Sequence, residues 1–142
     1  MTNIQATLGL SQLQNIQQVV KRKMEIGKYY YKKLYQNSNI QILPPSNEFS
    51  KNIYWVVGIV VQKSKMTGSM LSKKLAKYGI GTRPFFWPMH EQDIFKKMKI
   101  FKNKKFKNSS YLARYGIYLP SYLKLKKKDI NYISSVINKI LN

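Results

Sequence analysis

The chain has 142 residues, no cysteine, one histidine and five carboxylates, which predicts a single domain without disulfides and without a metal site. It has no apolar run near the roughly 18 residues of a membrane span and no signal peptide at its start, so we expect a cytoplasmic protein without membrane contact. The net charge of +21 suggests nucleic-acid binding, but 23 lysines against 3 arginines, spread along the chain, predict no specific nucleic-acid partner.

The first 36 residues carry apolar side chains at helical spacing. Thr2 or Asn3 can cap a helix there, and no proline interrupts the pattern before the turn-rich residues 37–39. We predict one helix from residue 2 to about residue 36. Its unusual length for a chain of this size indicates that part of its surface packs on something outside the chain.

The remaining elements alternate between strand and helix patterns. In chain order we predict strands over residues 40–43 and 53–61, a loop over 63–65, a helix over 67–78 with Leu71, Leu75 and Tyr78 on one face and Gly79 as its stop, strand character over 81–86, a short helix over 94–101, a basic loop over 102–108, a helical turn over 109–113, a strand over 115–120, and a last helix over 126–141. The strand over 53–61 is nearly continuous in β-branched and aromatic residues, which predicts burial on both faces.

This order of elements predicts an α/β (α+β) sandwich, in which helices cover a small, mostly antiparallel sheet. We expect one domain over residues 1–142. Residues 1–36 form its long helix, and residues 37–142 form the small α/β domain.

Residues 79–92, GIGTRPFFWPMHEQ, differ in chemistry from the rest of the chain. They contain His90, the only histidine, Arg83, one of three arginines, and the aromatic residues 85–87. Two prolines prevent a helix through this segment, so we expect Arg83 and His90 on extended chain and a turn. Polar groups presented in this way often form a binding site.

The residues alone leave two interpretations open for each of these side chains. His90 is either a turn residue satisfied by backbone groups or a ligand-binding group. Arg83 either pairs with Glu91 or Asp93, or it holds an anion through its planar guanidinium. Phe86 belongs either to the core or to a pocket wall, since neighbours on a strand point to opposite faces.

Three segments resemble the DegT/StrS-type sugar aminotransferases, which are pyridoxal-phosphate (PLP) enzymes of the aspartate-aminotransferase fold. MTNIQATLGLSQL at residues 1–13, followed by Lys-Arg at 21–22, resembles the start of a family helix. GIGTRPFF at residues 79–86 with PMHEQ at 88–92 is closest to the perosamine-synthase branch. SYL, GIYLPS and DI, within residues 110–130, are similar to the closing strand and last helix. The resemblance covers essentially the whole chain and implies the C-terminal small domain of that fold.

The resemblance implies an enzyme that moves an amino group from glutamate to a nucleotide-linked 4-keto-6-deoxy sugar, for synthesis of cell-surface polysaccharide. It implies that Arg83, Phe86 and His90 contact the nucleotide sugar. It also implies that Thr2 and Asn3 lie near the cofactor and the interface of a homodimer.

The family's catalytic lysine, which forms a Schiff base with PLP, would precede Met1 in this alignment of motifs. We therefore expect no catalytic residue in this chain, no PLP bound by the chain alone and no activity without a large PLP-binding domain as its partner. The chain would then be a truncated reading frame or one half of a split gene. Asp93 and Lys126 depart from the family pattern, where a proline and a Ser or Thr cap are usual.

A rival interpretation is a non-catalytic remnant, or a basic module that binds polyanions. The two interpretations differ in the surface that they predict. A piece of an aminotransferase should expose a wide apolar patch along residues 4–20 and aggregate or bind a partner, whereas an autonomous module should be monomeric and soluble.

Overall fold

The computed structural model describes residues 1–62, 66–102 and 104–141. Its elements are α1 (Asn3–Leu13), α2 (Ile16–Leu34), β1 (Ile40–Ile42), β2 (Val57–Val61), α3 (Gly68–Ala76), β3 (Arg83–Pro84), a 3-10 helix (Met89–Glu91), α4 (Asp93–Lys97), α5 (Lys107–Tyr115), β4 (Gly116–Leu119) and α6 (Lys127–Leu141). The loop predicted over residues 63–65 lies outside the described residues.

The four strands form one sheet in the order β1-β2-β4-β3, and every neighbouring pair is antiparallel. Val57 pairs with Leu119 and Ile59 with Ile117, so β2 and β4 form the centre of the sheet. One face packs on apolar residues of α2, α3 and α6, which form a single core with it. The predicted sandwich of helices on a small antiparallel sheet is confirmed.

The first helical segment differs from the single helix that the sequence predicts. The chain forms α1 and α2, which are separated at Gln14 and Asn15. The backbone of Asn15 leaves helical geometry at φ −108° and ψ 6°, and asparagine has a low helix propensity. Since α1 buries none of its residues, no tertiary packing opposes the break.

The second strand is shorter than predicted, because residues 53–56 do not join the sheet. Tyr54 has a φ of +52°, in the left-handed region that a strand cannot contain. The Asn52 side chain accepts a hydrogen bond from the Tyr54 N–H at 2.8 Å, as in an Asx turn. The Tyr54 ring is buried directly over Gly27, and burial, with a smaller contribution from Tyr31, raises the pKa of Tyr54 to about 12.

The prediction for α3 is confirmed in its start, its buried residues and its glycine stop. Thr67 caps it by accepting a hydrogen bond from the Met70 N–H at 3.3 Å, and Leu71 and Leu75 are buried. Gly79 follows the helix with a φ of +71°, as expected of a glycine stop. The prediction that the helix continues to Tyr78, on the same face as Leu71 and Leu75, was wrong, because the helix ends at Ala76 and the Tyr78 side chain is exposed.

The later helices differ in length from their predictions. Helix α4 is shorter, since Lys99 has a φ of +54° that continues no helix, and α5 is longer than the single turn expected. Helix α6 follows its prediction closely and buries Ile130, Ile133 and Ile137 against the core. No helix within the described ranges combines the length and the hydropathy needed to cross a bilayer.

Candidate functional site

Arg83 lies on the edge strand β3, where it pairs with Tyr118 of β4. Its side chain is exposed, and no carboxylate of the described residues forms an ion pair with it. The two partners considered from sequence are engaged elsewhere: Glu91 accepts from Ser110, and Asp93 lies 3.7 Å from the Lys96 amine. The guanidinium of Arg83 therefore keeps its donors available for an anion.

His90 lies on the 3-10 helix and is held by side chains rather than by backbone groups. Its Nε2 is 3.1 Å from the Ser110 hydroxyl on α5 and 3.5 Å from a Glu91 carboxylate oxygen. The rings of Phe106 and Phe101 lie 4.8 Å and 6.4 Å from the imidazole. Only 14% of the His90 side chain is exposed, so the histidine has a fixed orientation.

Phe86 and its neighbour Phe85 both contact the Tyr118 ring, but they differ in exposure. Phe85 stacks on Tyr118 with ring centroids 4.5 Å apart and covers Gly58, where a Cβ atom would lie 2.8 Å from its ring. Phe86 is 72% exposed and lies nearly parallel to the Trp55 ring at 6.3 Å. Phe85 thus packs on the sheet and lines the groove described below, whereas Phe86 is not among the residues that line that groove.

A groove of about 560 Å³ runs along the sheet face opposite the helical core. Trp55, Val60, Phe85 and Tyr118 are among its lining residues, and burial raises the pKa of Tyr118. Sequence reasoning assigned no site role to Trp55 or Tyr118. The signal that was available is Gly58, a glycine within a strand, which often marks a close approach of other groups.

A second pocket of about 200 Å³ adjoins His90 and is rich in lysine. The structure thus divides the predicted site into two clusters. Arg83 and Phe86 are both neighbours of Tyr118: Arg83 is its backbone partner in the sheet, and the ring centroids of Phe86 and Tyr118 are 5.9 Å apart. His90 belongs to the other cluster, with Ser110 of α5.

Thr2 and Asn3 begin α1. Thr2 is its cap: its hydroxyl accepts from the Gln5 N–H at 3.3 Å, and its own N–H donates to the Gln5 side chain at 2.9 Å. Both residues are exposed. Among the described residues, no hydrogen bond, ion pair or ring contact joins them to the Arg83 or His90 clusters.

Lys23, the described lysine whose pKa is lowered by burial, is not placed as a PLP site requires. Such a site needs a lysine for the cofactor's aldehyde and a carboxylate for its ring nitrogen. Lys23 is desolvated, which lowers its pKa, but its amine donates to the Ser121 carbonyl at 2.7 Å and faces no carboxylate. The ion pairs of the described residues are all at least partly exposed, and these residues contain no cluster of three or more metal-ligating side chains.

Comparison with known proteins places these features in a family. The DegT/DnrJ/EryC1/StrS aminotransferase family matches residues 1–138. The chain belongs to this family. The resemblance carried by the motifs at residues 1–13, 79–92 and 110–130 is therefore confirmed.

Two relatives within the family are GDP-perosamine synthases. The one from Escherichia coli O157:H7 is 33% identical over 139 residues, which is 98% of this chain and 36% of that protein. The one from Vibrio cholerae is 27% identical over 143 residues, the whole of this chain and 38% of that protein. The chain spans about a third of the length of these curated relatives.

Solved structures of aminotransferases share the fold of this chain. Spr1654 of Streptococcus pneumoniae in its PLP form superposes with a TM-score of 0.83 and 23% identity over all of this chain and 37% of its own. Helicobacter pylori PseC, an aminotransferase of pseudoaminic acid biosynthesis, gives a TM-score of 0.82 and 20% identity over 97% of this chain and 37% of its own. These likenesses confirm the predicted small-domain fold of PLP aminotransferases.

Proposed function

We propose that this chain is the small domain of a PLP-dependent aminotransferase that transfers an amino group from glutamate to a nucleotide-linked 4-keto-6-deoxy sugar of the perosamine type. The product would enter a cell-surface polysaccharide. The observation that carries the proposal is the exposed guanidinium of Arg83, which forms no ion pair among the described residues, in a chain that is 33% identical to a GDP-perosamine synthase.

In this proposal the chain's own residues bind and orient the sugar nucleotide. Arg83 holds an anionic group of a substrate through paired N–H donors. Phe86, with Trp55 beside it, presents a flat apolar surface to a sugar ring or a base. His90 donates a hydrogen bond from a fixed ring to the substrate.

The catalytic lysine and the cofactor site belong, in this proposal, to a large domain that pairs with this chain. Bound PLP supplies the electron sink for the transfer. Thr2 and Asn3 lie near the cofactor and the dimer interface of the assembled enzyme. The chain alone binds no PLP and has no transaminase activity.

A chimaera tests the proposal. This chain replaces the matching third of the E. coli O157:H7 GDP-perosamine synthase, and the two half-reactions are followed separately. We expect glutamate to convert the cofactor spectrum and a GDP-linked 4-keto-6-deoxy sugar to be aminated. An Arg83→Gln chimaera should lose at least one half-reaction about tenfold or more, because a charge-assisted contact is removed.

The outcomes separate the parts of the proposal. A chimaera that is dimeric, binds PLP and runs neither half-reaction would contradict the aminotransferase assignment. Turnover with glutamate but with no 4-keto sugar nucleotide would contradict the substrate class alone. The 142-residue chain without a partner serves as the control and should show neither cofactor absorbance nor turnover.

A second candidate, a non-catalytic module that binds polyanions, is favoured by the net charge of +21 alone. Lysines spread over the surface would bind DNA or heparin through counterion release, with an affinity that falls steeply with salt. Affinity that persists at physiological salt would favour this module. Its loss there would leave the aminotransferase assignment as the better account.

A further inference from the structure

A groove of about 450 Å³ lies between α2 and α6 and belongs to neither cluster of the candidate functional site. Basic residues line it from both helices: Arg22, Lys28 and Lys32 of α2 and Lys127 of α6. Glu25, a carboxylate that also lines it, already pairs with Arg22 at 3.0 Å. The ion pairs formed within the described ranges include none of these lysines. The groove therefore carries an uncompensated positive charge, which is complementary to an acidic partner.

Hydrogen bonds between α2 and the segment that contains α6 hold the walls of the groove in place. The Arg22 guanidinium donates to the Leu123 and Leu125 carbonyls at 3.0 Å and 2.6 Å. Seven residues further along α2, the Tyr29 hydroxyl donates to the Asn131 side chain at 3.0 Å. The two helices therefore run parallel and are fixed at both points. Because the groove is already formed, little ordering of this chain is needed when a partner binds.

The Tyr29 ring draws together ammonium groups from both helices. The Nζ atoms of Lys33 and Lys127 lie 5.5 Å and 5.8 Å from the centre of this ring. The electron-rich ring attracts each ammonium group, although the two charges repel one another. Lys28 and Lys32 stand four residues apart on α2, where like charges also repel. Carboxylates of a partner would relieve both repulsions.

The floor of the groove indicates what kind of acidic partner fits. It contains the apolar side chains of Ile26 and Ile130, which belong to the core. An amphipathic helix presents an apolar ridge with polar residues on either side, whereas a nucleic-acid backbone presents phosphates and no such ridge. Residues four apart on a helix are separated by about 6 Å along its axis, so two carboxylates at this spacing match Lys28 and Lys32. These features favour a helix over a nucleic acid.

We propose that the groove between α2 and α6 binds an acidic amphipathic helix of a partner protein. The apolar ridge of that helix packs on the apolar floor, and its carboxylates face the lysines of the two walls. Neither Arg83 nor His90 lines the groove, so this partner is independent of the sugar nucleotide in the proposed function.

Synthetic peptides test the proposal on the 142-residue chain. The probe is a helical peptide whose leucines recur at i, i+3, i+4 and i+7 and whose glutamates flank this stripe on both sides. A scrambled peptide of the same composition has the same charge without the stripe, and single-stranded DNA of equal charge represents nucleic acid. At physiological salt we expect the striped peptide to bind at least about tenfold more tightly than either control.

Two further measurements locate the contact. Carbodiimide joins carboxylates to the lysine amines that touch them, and mass spectrometry should find Lys28, Lys32 and Lys127 coupled to the peptide before other lysines. A variant with Lys28→Ala and Lys32→Ala should lose affinity about tenfold, because two ionic contacts are removed. The control variant, with Lys73→Ala and Lys74→Ala, removes the same charge from exposed residues of α3 that do not line the groove. Its affinity should change by less than about twofold.

Several results would overturn the inference. They are equal affinities for the striped and scrambled peptides, equal losses in the two double variants, and coupling spread over lysines outside the groove. DNA that binds as tightly as the striped peptide and requires the same lysines would assign the groove to nucleic acid. A peptide that no longer binds when Leu8, Leu10 and Leu13 are replaced by glutamine would place the contact on α1.

Discussion

At the scale of single residues, Gly27 is the glycine at which an added Cβ atom would come closest to another group. It lies on the buried side of α2, directly beneath the Tyr54 ring, and a Cβ atom there would overlap that ring. The ring cannot move easily, because the Tyr54 hydroxyl donates to the Leu43 carbonyl at 3.2 Å. The left-handed backbone of Tyr54 also belongs to this arrangement.

We expect Gly27→Ala to lower the free energy of unfolding by about 1–3 kcal/mol, the usual result of overpacking a core. The better helix propensity of alanine offsets only about 1 kcal/mol. Urea unfolding followed by circular dichroism measures the change. Gly9→Ala on α1 is the control, because its added carbon would meet no atom within 4 Å apart from its chain neighbours and the backbone of its own helix. It should raise helix content without loss of stability. Equal midpoints for the two variants would show that Tyr54 moves aside freely.

At the scale of elements, helix α6 lacks half of a capping box. The Lys126 carbonyl accepts from the N–H groups of Asp129 and Ile130, so Lys126 occupies the cap position. The Asp129 carboxylate reaches back to the Lys126 N–H at 2.9 Å. A lysine side chain has no acceptor for the free N–H groups of the first turn, and its charge opposes the positive end of the helix dipole.

Lys126→Ser should therefore raise the free energy of unfolding by about 1 kcal/mol, because the hydroxyl completes the capping box with Asp129. Lys128→Ser is the matched control: it removes the same charge from the same turn without providing a cap. Thermal and urea unfolding of the two variants compare these effects. A gain of the same size in both would assign the effect to charge and not to capping.

Some features of these elements could be predicted from the sequence alone, and others could not. Helix α6 and the buried face of α3 were predictable, because their apolar residues repeat at the helical period. The late start of β2 was not predictable, because the backbone of Tyr54 depends on its ring packing over Gly27 in another element. His90 stood out by its chemistry, but its hydrogen bond to Ser110, twenty residues later, depends on where α5 packs.

At the scale of the whole molecule, the apolar residues of α1 lie outside the core. Ile4, Leu8, Leu10 and Leu13 are all more than half exposed, and α1 has no buried residue. Of the apolar surface expected along residues 4–20, the part up to Ile16 is exposed, whereas Val19 and Val20 are half-buried. A surface of this kind on an isolated chain favours association.

We expect the isolated chain to self-associate and a variant with glutamine at Leu8, Leu10 and Leu13 to sediment as a monomer. Its free energy of unfolding should stay within about 0.5 kcal/mol of the parent, because these side chains are exposed. Polar substitutions at Phe49 and Met70, which are exposed outside α1, provide the control and should leave association unchanged. Association that persists in the triple variant would place the contact elsewhere.

The edge strands of the sheet determine which kind of self-association is expected. Its two edge strands are short: β1 has three residues, and β3 has two, of which Pro84 has no N–H to donate. Such edges offer little template for strands from other copies, which is how soluble proteins avoid fibrous aggregation. Clusters of this chain should therefore dissolve on dilution, keep their helical spectrum and bind no amyloid dye.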